Sequence, residues 1–271
     1  MLYNVSNLYN VYNERGYIFM ARIIAVTNQK GGVGKTTTAV SLATGLQKIG
    51  FNTLLIDTDS QCNSTDTYRA KVEDTATLYD LLFEGEKAVD CIQETEVGSI
   101  IPCDPLMREA EQRFPNDNSR SFILREKCEG LENMFDYIII DTPPTMGVIL
   151  SNVFTYATEI IIPVTCDRYG LAGIELLSQT IASAKKYTNQ NLKMLGMVLI
   201  KYAERVNLCR EIKDGLPQVA EILNTKIFNT MIRESVSCRE SQSARQSIYE
   251  YAPSSTTAKD YMSLCEELVR G

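Results

Sequence analysis

From residue 22 onward, short apolar runs alternate with stretches of helical periodicity. The runs at 22–28, 52–58, 98–103, 136–141, 158–164, 192–200 and 225–230 predict strands. The amphipathic stretches at 35–49, 106–114, 119–132, 147–157, 170–187, 207–223 and 255–269 predict helices. Runs such as Tyr137-Ile138-Ile139-Ile140 leave no polar position for a solvent face. They predict strands covered on both sides, as in a parallel sheet. The alternation, with right-handed crossovers, predicts one doubly wound α/β domain over 20–271: a single, mostly parallel sheet with helices on both faces. No repeat or long linker divides it.

Residues 1–19 stand apart, rich in Tyr and Asn, with neither periodicity, and followed by Met20. They are expected to be a flexible or non-native extension, with Met20 as the natural start. They have no apolar core of a secretory signal.

Composition narrows the chemistry. Of 271 residues 44% are apolar and 23% charged, enough for a sizeable core. No apolar run approaches the roughly 18 residues of a spanning helix, so no membrane partner is expected. Histidine is absent, which excludes a Ser-His-Asp triad, a Cys-His pair and a His-ligated zinc site. Eight cysteines include no C-x-x-C pair and read as reduced thiols in a cytoplasmic protein. The net charge of −7 argues against a uniformly basic nucleic-acid binder. Residues 201–247 nevertheless carry eight Lys/Arg against six Asp/Glu, a local basic excess.

The informative segment is Lys30-Gly31-Gly32-Val33-Gly34-Lys35-Thr36-Thr37, directly after the first strand and opening the first helix. Read from Asn28, it has the spacing of G-x-x-x-x-G-K-[ST] with its first Gly replaced. Backbone N–H groups of such a turn converge on phosphate oxygens, and the helix N-terminus adds its dipole. Lys35 would face the β- and γ-phosphates and the Thr36 hydroxyl would ligate Mg²⁺. Asp57 and Asp59, two residues apart at the end of the second strand, face the same side of the sheet. Asp141, followed by Thr142-Pro143-Pro144, ends the apolar run 137–140.

The segment Lys30–Thr36 resembles the K-G-G-x-G-K-[ST] motif of the deviant Walker A ATPases, and within them the ParA/Soj partition ATPases. Asp57-Thr58-Asp59-Ser60-Gln61-Cys62-Asn63 is similar to that family's D-x-D-P-Q-x-N, with Ser60 in place of Pro, and Asp141–Pro144 to its Walker B segment. The likeness continues through 160–165, 169–175 and 232–243, where Glu234, Ser241 and Gln242 depart from the family pattern. The resemblance implies a P-loop NTPase fold of the deviant Walker A type, ATP and Mg²⁺ as cofactors, and slow, partner-stimulated hydrolysis. By resemblance Lys30 acts in trans across an ATP-dependent homodimer and Asp59 orients the attacking water. Asp57 and Asp141 would serve Mg²⁺ together with Thr36. The family's habit also implies non-specific binding of double-stranded DNA on the nucleoid, for which Arg210, Arg233, Arg239 and Arg245 are the candidates. A ParB-like activator is the implied partner, and the implied role is segregation of a plasmid, chromosome or mobile element.

Two alternatives remain: a MinD-like cycler on another surface, and a nucleotide-gated DNA-binding regulator with negligible hydrolysis. The tail 262–271 lacks the basic amphipathic character of a membrane-binding helix. The surroundings of Cys128 and Cys166 do not resemble an iron–sulfur carrier. The Tyr cluster (Tyr3, Tyr9, Tyr12, Tyr17) lies at the opposite end from that of the tyrosine kinases of this fold.

Overall fold

The computed structural model describes residues 20–167 and 172–271. The extension 1–19 and the start of the segment 169–175 lie outside the described residues. Eight strands form one sheet in the order β3-β4-β2-β5-β1-β6-β7-β8. They are β1 (Arg22–Val26), β2 (Thr53–Asp57), β3 (Gln93–Glu94), β4 (Ser99–Ile101), β5 (Tyr137–Asp141), β6 (Glu159–Thr165), β7 (Lys193–Tyr202) and β8 (Ile232–Arg233). Every pairing is parallel except β3 on β4.

Every residue of β2 and β5 is buried, as a strand covered on both faces requires. Alternate residues feed two cores. Ile23, Ala25, Leu54, Ile56, Ile138 and Ile140 pack on one face. Ile24, Val26, Leu55 and Ile139 pack on the other. The first core takes side chains from the helices Val148–Tyr156, Ala172–Tyr187 and Asn207–Ile222; the second takes them from Lys35–Lys48 and Thr256–Arg270. β1 lies between β5 and β6, where the winding direction reverses. The ends of β1, β2 and β5 therefore open into the crevice where doubly wound sheets hold ligands.

The structure departs from periodicity in three places, two of them through a contact from a distant segment. The predicted strand 225–230 makes only a single bridge, Ile227 on Met197. Glu267 of the C-terminal helix accepts from the N–H groups of Asn229 (2.7 Å) and Thr230 (2.9 Å). This diverts the chain from the ladder until Ile232, where β8 begins. The predicted helix 119–132 is broken into two 3₁₀ turns around Ile123–Lys127. There Asn152 accepts from Leu124 N–H at 3.0 Å and donates to Arg120 O at 2.7 Å. A side chain thus stands in for helical partners. The predicted helix 106–114 is likewise a 3₁₀ turn, Pro105–Arg108, and a short helix, Ala110–Arg113. The short helices Asn63–Tyr68, Leu78–Phe83 and Val236–Ser243 and the two-residue β3 carry too little periodicity to be read in advance.

Candidate nucleotide site

The loop 27–34 links β1 to the first helix. Asn28, in place of the first motif glycine, braces it: Nδ2 donates to Pro163 O at 2.8 Å and Oδ1 accepts from Lys30 N–H at 3.0 Å. Gly32 and Gly34 have φ of 69° and 92°, left-handed values that favour glycine. Gly34 is the N-cap of the helix, and no side chain caps it. The first N–H groups of that helix have no intrahelical acceptor and converge at the mouth of the loop as donors for an anion.

At Gly34 a Cβ would also lie 2.8 Å from Ile200 Cδ1. Gly34→Ala should therefore cost about 1–3 kcal/mol and lower the melting temperature by roughly 2–10 °C. Gly31→Ala is the control, since nothing lies within 4 Å of its added Cβ and its φ is not left-handed. Equal melting of the two variants would refute the assignment of strain to Gly34.

The three aspartates differ in what holds them. Asp57 is fully buried. Its Oδ2 accepts from Thr65 N–H at 2.9 Å and Thr65 Oγ1 at 2.8 Å, and its Oδ1 from Asp59 N–H at 3.1 Å. Both oxygens are thus engaged in bracing the turn after β2. Asp59 is 8% exposed, lines the cleft, and is oriented by Gln61 N–H on Oδ1 at 3.0 Å. Asp141 is fully buried, and its Oδ2 accepts from Ser64 Oγ at 2.8 Å. Its Oδ1 is buried without a hydrogen-bond partner. Burial raises the pKa of both Asp57 and Asp141 above the usual carboxylate range, and the Asp141 charge pushes Asp57 further. At Asp141 the Ser64 and Thr36 hydroxyls and Lys35 pull the other way.

Lys35 is 6% exposed. Burial lowers its pKa, against the opposing charges of Asp141 and Asp59. Lys35 and Asp59 line a cleft of about 490 Å³, and Asp141 is buried behind them. Gly31, Gly32, Gly34, Thr36 and Thr37 line the same cleft, while Val33 is buried beneath it. The opposite wall comes from β7, β8 and the helix Val236–Ser243. There Gln242 Nε2 donates to Thr37 Oγ1, and Lys201 Nζ to Gly32 O at 2.7 Å. Ser64, Thr65 and Lys201 carry no motif of their own, whereas the cleft wall around Cys238 falls within 232–243, where the family likeness continues. Of those three, Ser64 and Thr65, just past the aspartate segment, had a neighbouring signal in the sequence.

Residues 21–194 match the AAA domain family. The chromosome partitioning protein ParA of Myxococcus xanthus (strain DK1622) is 33% identical over 95% of this chain and 91% of its own. The sporulation initiation inhibitor protein Soj of Bacillus subtilis (strain 168) is 35% identical over 92% of this chain and 98% of its own. The chain belongs to the ParA/Soj family of partition ATPases. Among solved structures, cobyrinic acid a,c-diamide synthase from Mycobacterium smegmatis, with bound ATP analog and magnesium, superposes with a TM-score of 0.81. It is 26% identical, over 92% of this chain and 94% of that one.

In this ParA/Soj chain Lys30 folds back on its own chain. Its Nζ is ion-paired with Asp167, just past β6, and donates to Thr165 Oγ1 at 3.4 Å. The four arginines do not form one patch on one element. Arg210 lies exposed on the helix Asn207–Ile222, donating to Asn207 Oδ1. Arg233 is committed to Asp260, with Nε to Oδ2 at 2.9 Å and Nη2 to Oδ1 at 2.6 Å. That pairing raises its pKa further and holds it against the cleft wall. Arg239 also lines the cleft. Arg245 is exposed beyond that helix and paired with Asp66 at 3.5 Å. All eight cysteines are free thiols.

Proposed function

We propose that this chain is a dimerising, Mg·ATP-dependent ATPase that holds double-stranded DNA on the nucleoid without sequence preference. It serves segregation of a plasmid, chromosome or mobile element, with slow hydrolysis raised by a ParB-like partner. The observation that carries the reading is the convergence of an uncapped helix N-terminus and a left-handed glycine loop on the buried Lys35, facing Asp59 and Asp141.

The residues fit a magnesium ion. Asp141 Oδ1 is a buried acceptor without a partner, and the Thr36 hydroxyl lies beside that carboxyl. Among the described residues no group of three or more His, Cys, Asp or Glu forms a cage. That suits a cation held by few protein oxygens together with water and phosphate, as Mg²⁺ is. Thr36 and Asp141 would hold it, and Asp57 would act through Thr65 and the backbone of the turn. Bound there, the ion would supply positive charge against the phosphates. Lys35 and the N–H groups of the loop bind and orient the phosphates, and Asp59 positions a water in line with the transferred phosphoryl group. For Lys30 to reach a partner's nucleotide it must leave Asp167, so dimerisation exchanges one anion for another.

Phosphate contacts without base readout account for DNA binding. All four arginines are exposed, and Arg210 and Arg245 are the candidates that lie outside the cleft. Arg233 is tied to Asp260, and Arg239 lines the nucleotide cleft. DNA retention should require ATP, be indifferent to sequence, and fall with a log–log salt slope of about 0.9 per phosphate neutralised. Arg210→Glu or Arg245→Ala should reduce that slope by about two per dimer, one contact per subunit, while ATP-driven dimerisation measured by light scattering is unchanged. DNA binding by the nucleotide-free protein equal to that of the ATP form would refute the reading. ATP-driven dimers that ignore DNA would redirect it to a cycler on another surface. A membrane surface is disfavoured by the C-terminal helix, whose apolar residues Tyr261, Leu264, Cys265 and Leu268 are spent in the core. Among the described residues no helix is long and apolar enough to cross a membrane.

A further inference from the structure

Near the end of β7 the pleat breaks at one residue. Val198 and Ile200 pack in one core and Leu199 in the other, as alternation requires. Tyr202 should rejoin Val198 and Ile200 but packs with Leu199 instead. The phase slips at Lys201. The pairing with β8 shows the same slip: Ile200 faces Ile232 and Tyr202 faces Arg233, with an irregularity between them. Lys201 is the extra residue of a bulge, and its φ is 52°, a left-handed conformation that is uncommon for a lysine.

The bulge has one visible consequence. Ile200 lies against Gly34, and in an unbroken strand Lys201 would point away from it, to the other face of the sheet. Here Lys201 also reaches the phosphate loop, with Nζ donating to Gly32 O at 2.7 Å, and it lines the nucleotide cleft. Its charge is felt across that cleft as well. Burial raises the pKa of the Cys238 thiol, and Lys201 pulls it back. A strained backbone that turns a cation onto a ligand loop is the kind of outlier that accompanies function.

We propose that Lys201 is a positioning residue of the phosphate loop, its ammonium clamping the Gly32 carbonyl so that the Val33 N–H is aimed into the phosphate cradle. In a trans peptide the carbonyl and the following N–H point in opposite directions. A cation on the Gly32 oxygen therefore fixes the plane of the Gly32–Val33 peptide and polarises its N–H toward an anion on the other side. The inference rests on the reading that the cleft takes a nucleotide, and it adds to that reading the residue that tunes affinity for the phosphate chain.

The test measures Mg·ADP binding by calorimetry, which avoids linkage to dimerisation, together with melting of the nucleotide-free protein and steady-state ATPase kinetics. Lys201→Met should weaken Mg·ADP about five- to tenfold, the lower range for a charge-assisted hydrogen bond that solvent partly screens. KM for ATP should rise while kcat stays within about twofold, because the clamp serves phosphate binding in ground and transition states alike. Lys201→Arg should restore most of the affinity. Lys201→Gly relieves the left-handed strain, so it should melt no lower than the parent yet bind as weakly as Lys201→Met. Parent-like affinity in Lys201→Met would overturn the proposal. So would parent-like affinity in Lys201→Gly, which would assign the effect to the backbone, or failure of Lys201→Arg to recover. If the parent itself bound Mg·ADP no better than Lys35→Ala, the nucleotide reading would fall first, and the two failures are distinguishable.

Discussion

Lys35→Ala should abolish nucleotide binding, raising the Kd for ATP and ADP on the order of 10²–10³-fold. Lys35 is almost wholly buried, and Asp141 and Asp59 oppose the burial that lowers its pKa. Removing one member of a buried charge cluster costs about 3–5 kcal/mol, because the remaining charges lose their compensation. In this site the loss falls on the nucleotide as well: its phosphates would meet two carboxylates with no intervening cation. The variant should also melt lower, so binding is to be measured by calorimetry at a temperature where circular dichroism shows it folded. Lys35→Met, which keeps the aliphatic stem in place, should bind no better than Lys35→Ala. Nucleotide affinity like that of the parent in either variant would sink the assignment of the cleft.

Asp59→Ala should separate binding from hydrolysis. Asp59 stands at the cleft surface, and its carboxyl is aimed by Gln61 N–H. Loss of a group that positions or activates water lowers turnover about 10²–10⁴-fold. ATP should still bind, since Lys35 and the glycine loop are untouched, and the ATP-bound dimer should accumulate. Asp59→Asn retains an oxygen for Gln61 N–H but lacks the charge, so equal inactivity of the two variants would assign the effect to charge and not to turn geometry. Phosphate release at the parent rate from Asp59→Ala would place the water elsewhere.

The buried core of the site was legible because its signals are local. A glycine loop must sit between a strand and a helix to present N–H groups to an anion. That order is written in consecutive residues from Arg22 to Lys48. The same holds for β2 and β5, whose unbroken apolar runs end in Asp57 and Asp141. The resemblance supplied roles for Asp57, Asp59 and Asp141, but not their differences. Spacing alone does not show that Asp57 has both oxygens engaged by Thr65 and Asp59 while Asp141 keeps one bare.

By itself, then, the order of apolar and polar residues determined the doubly wound sheet, the place of the phosphate loop at its switch point, and the lysine and aspartates that face it. Burial on both faces of a strand and the period of a helix are properties of neighbouring residues, and they survive in any tertiary context. Tertiary structure alone decided where the pattern yields. Glu267 takes the N–H groups that would have continued a strand at 229–230, and Asn152 interrupts a helix near Leu124. Asp260 ties up the Arg233 guanidinium, Asp167 holds Lys30, and the bulge in β7 turns Lys201 onto the phosphate loop. In every case the partner is 27 or more residues away in sequence, and at Lys201 the slip of one residue also flips a side chain between faces. Hydrogen bonds and ion pairs between distant segments leave no periodic trace, because a single partner with the right geometry satisfies them.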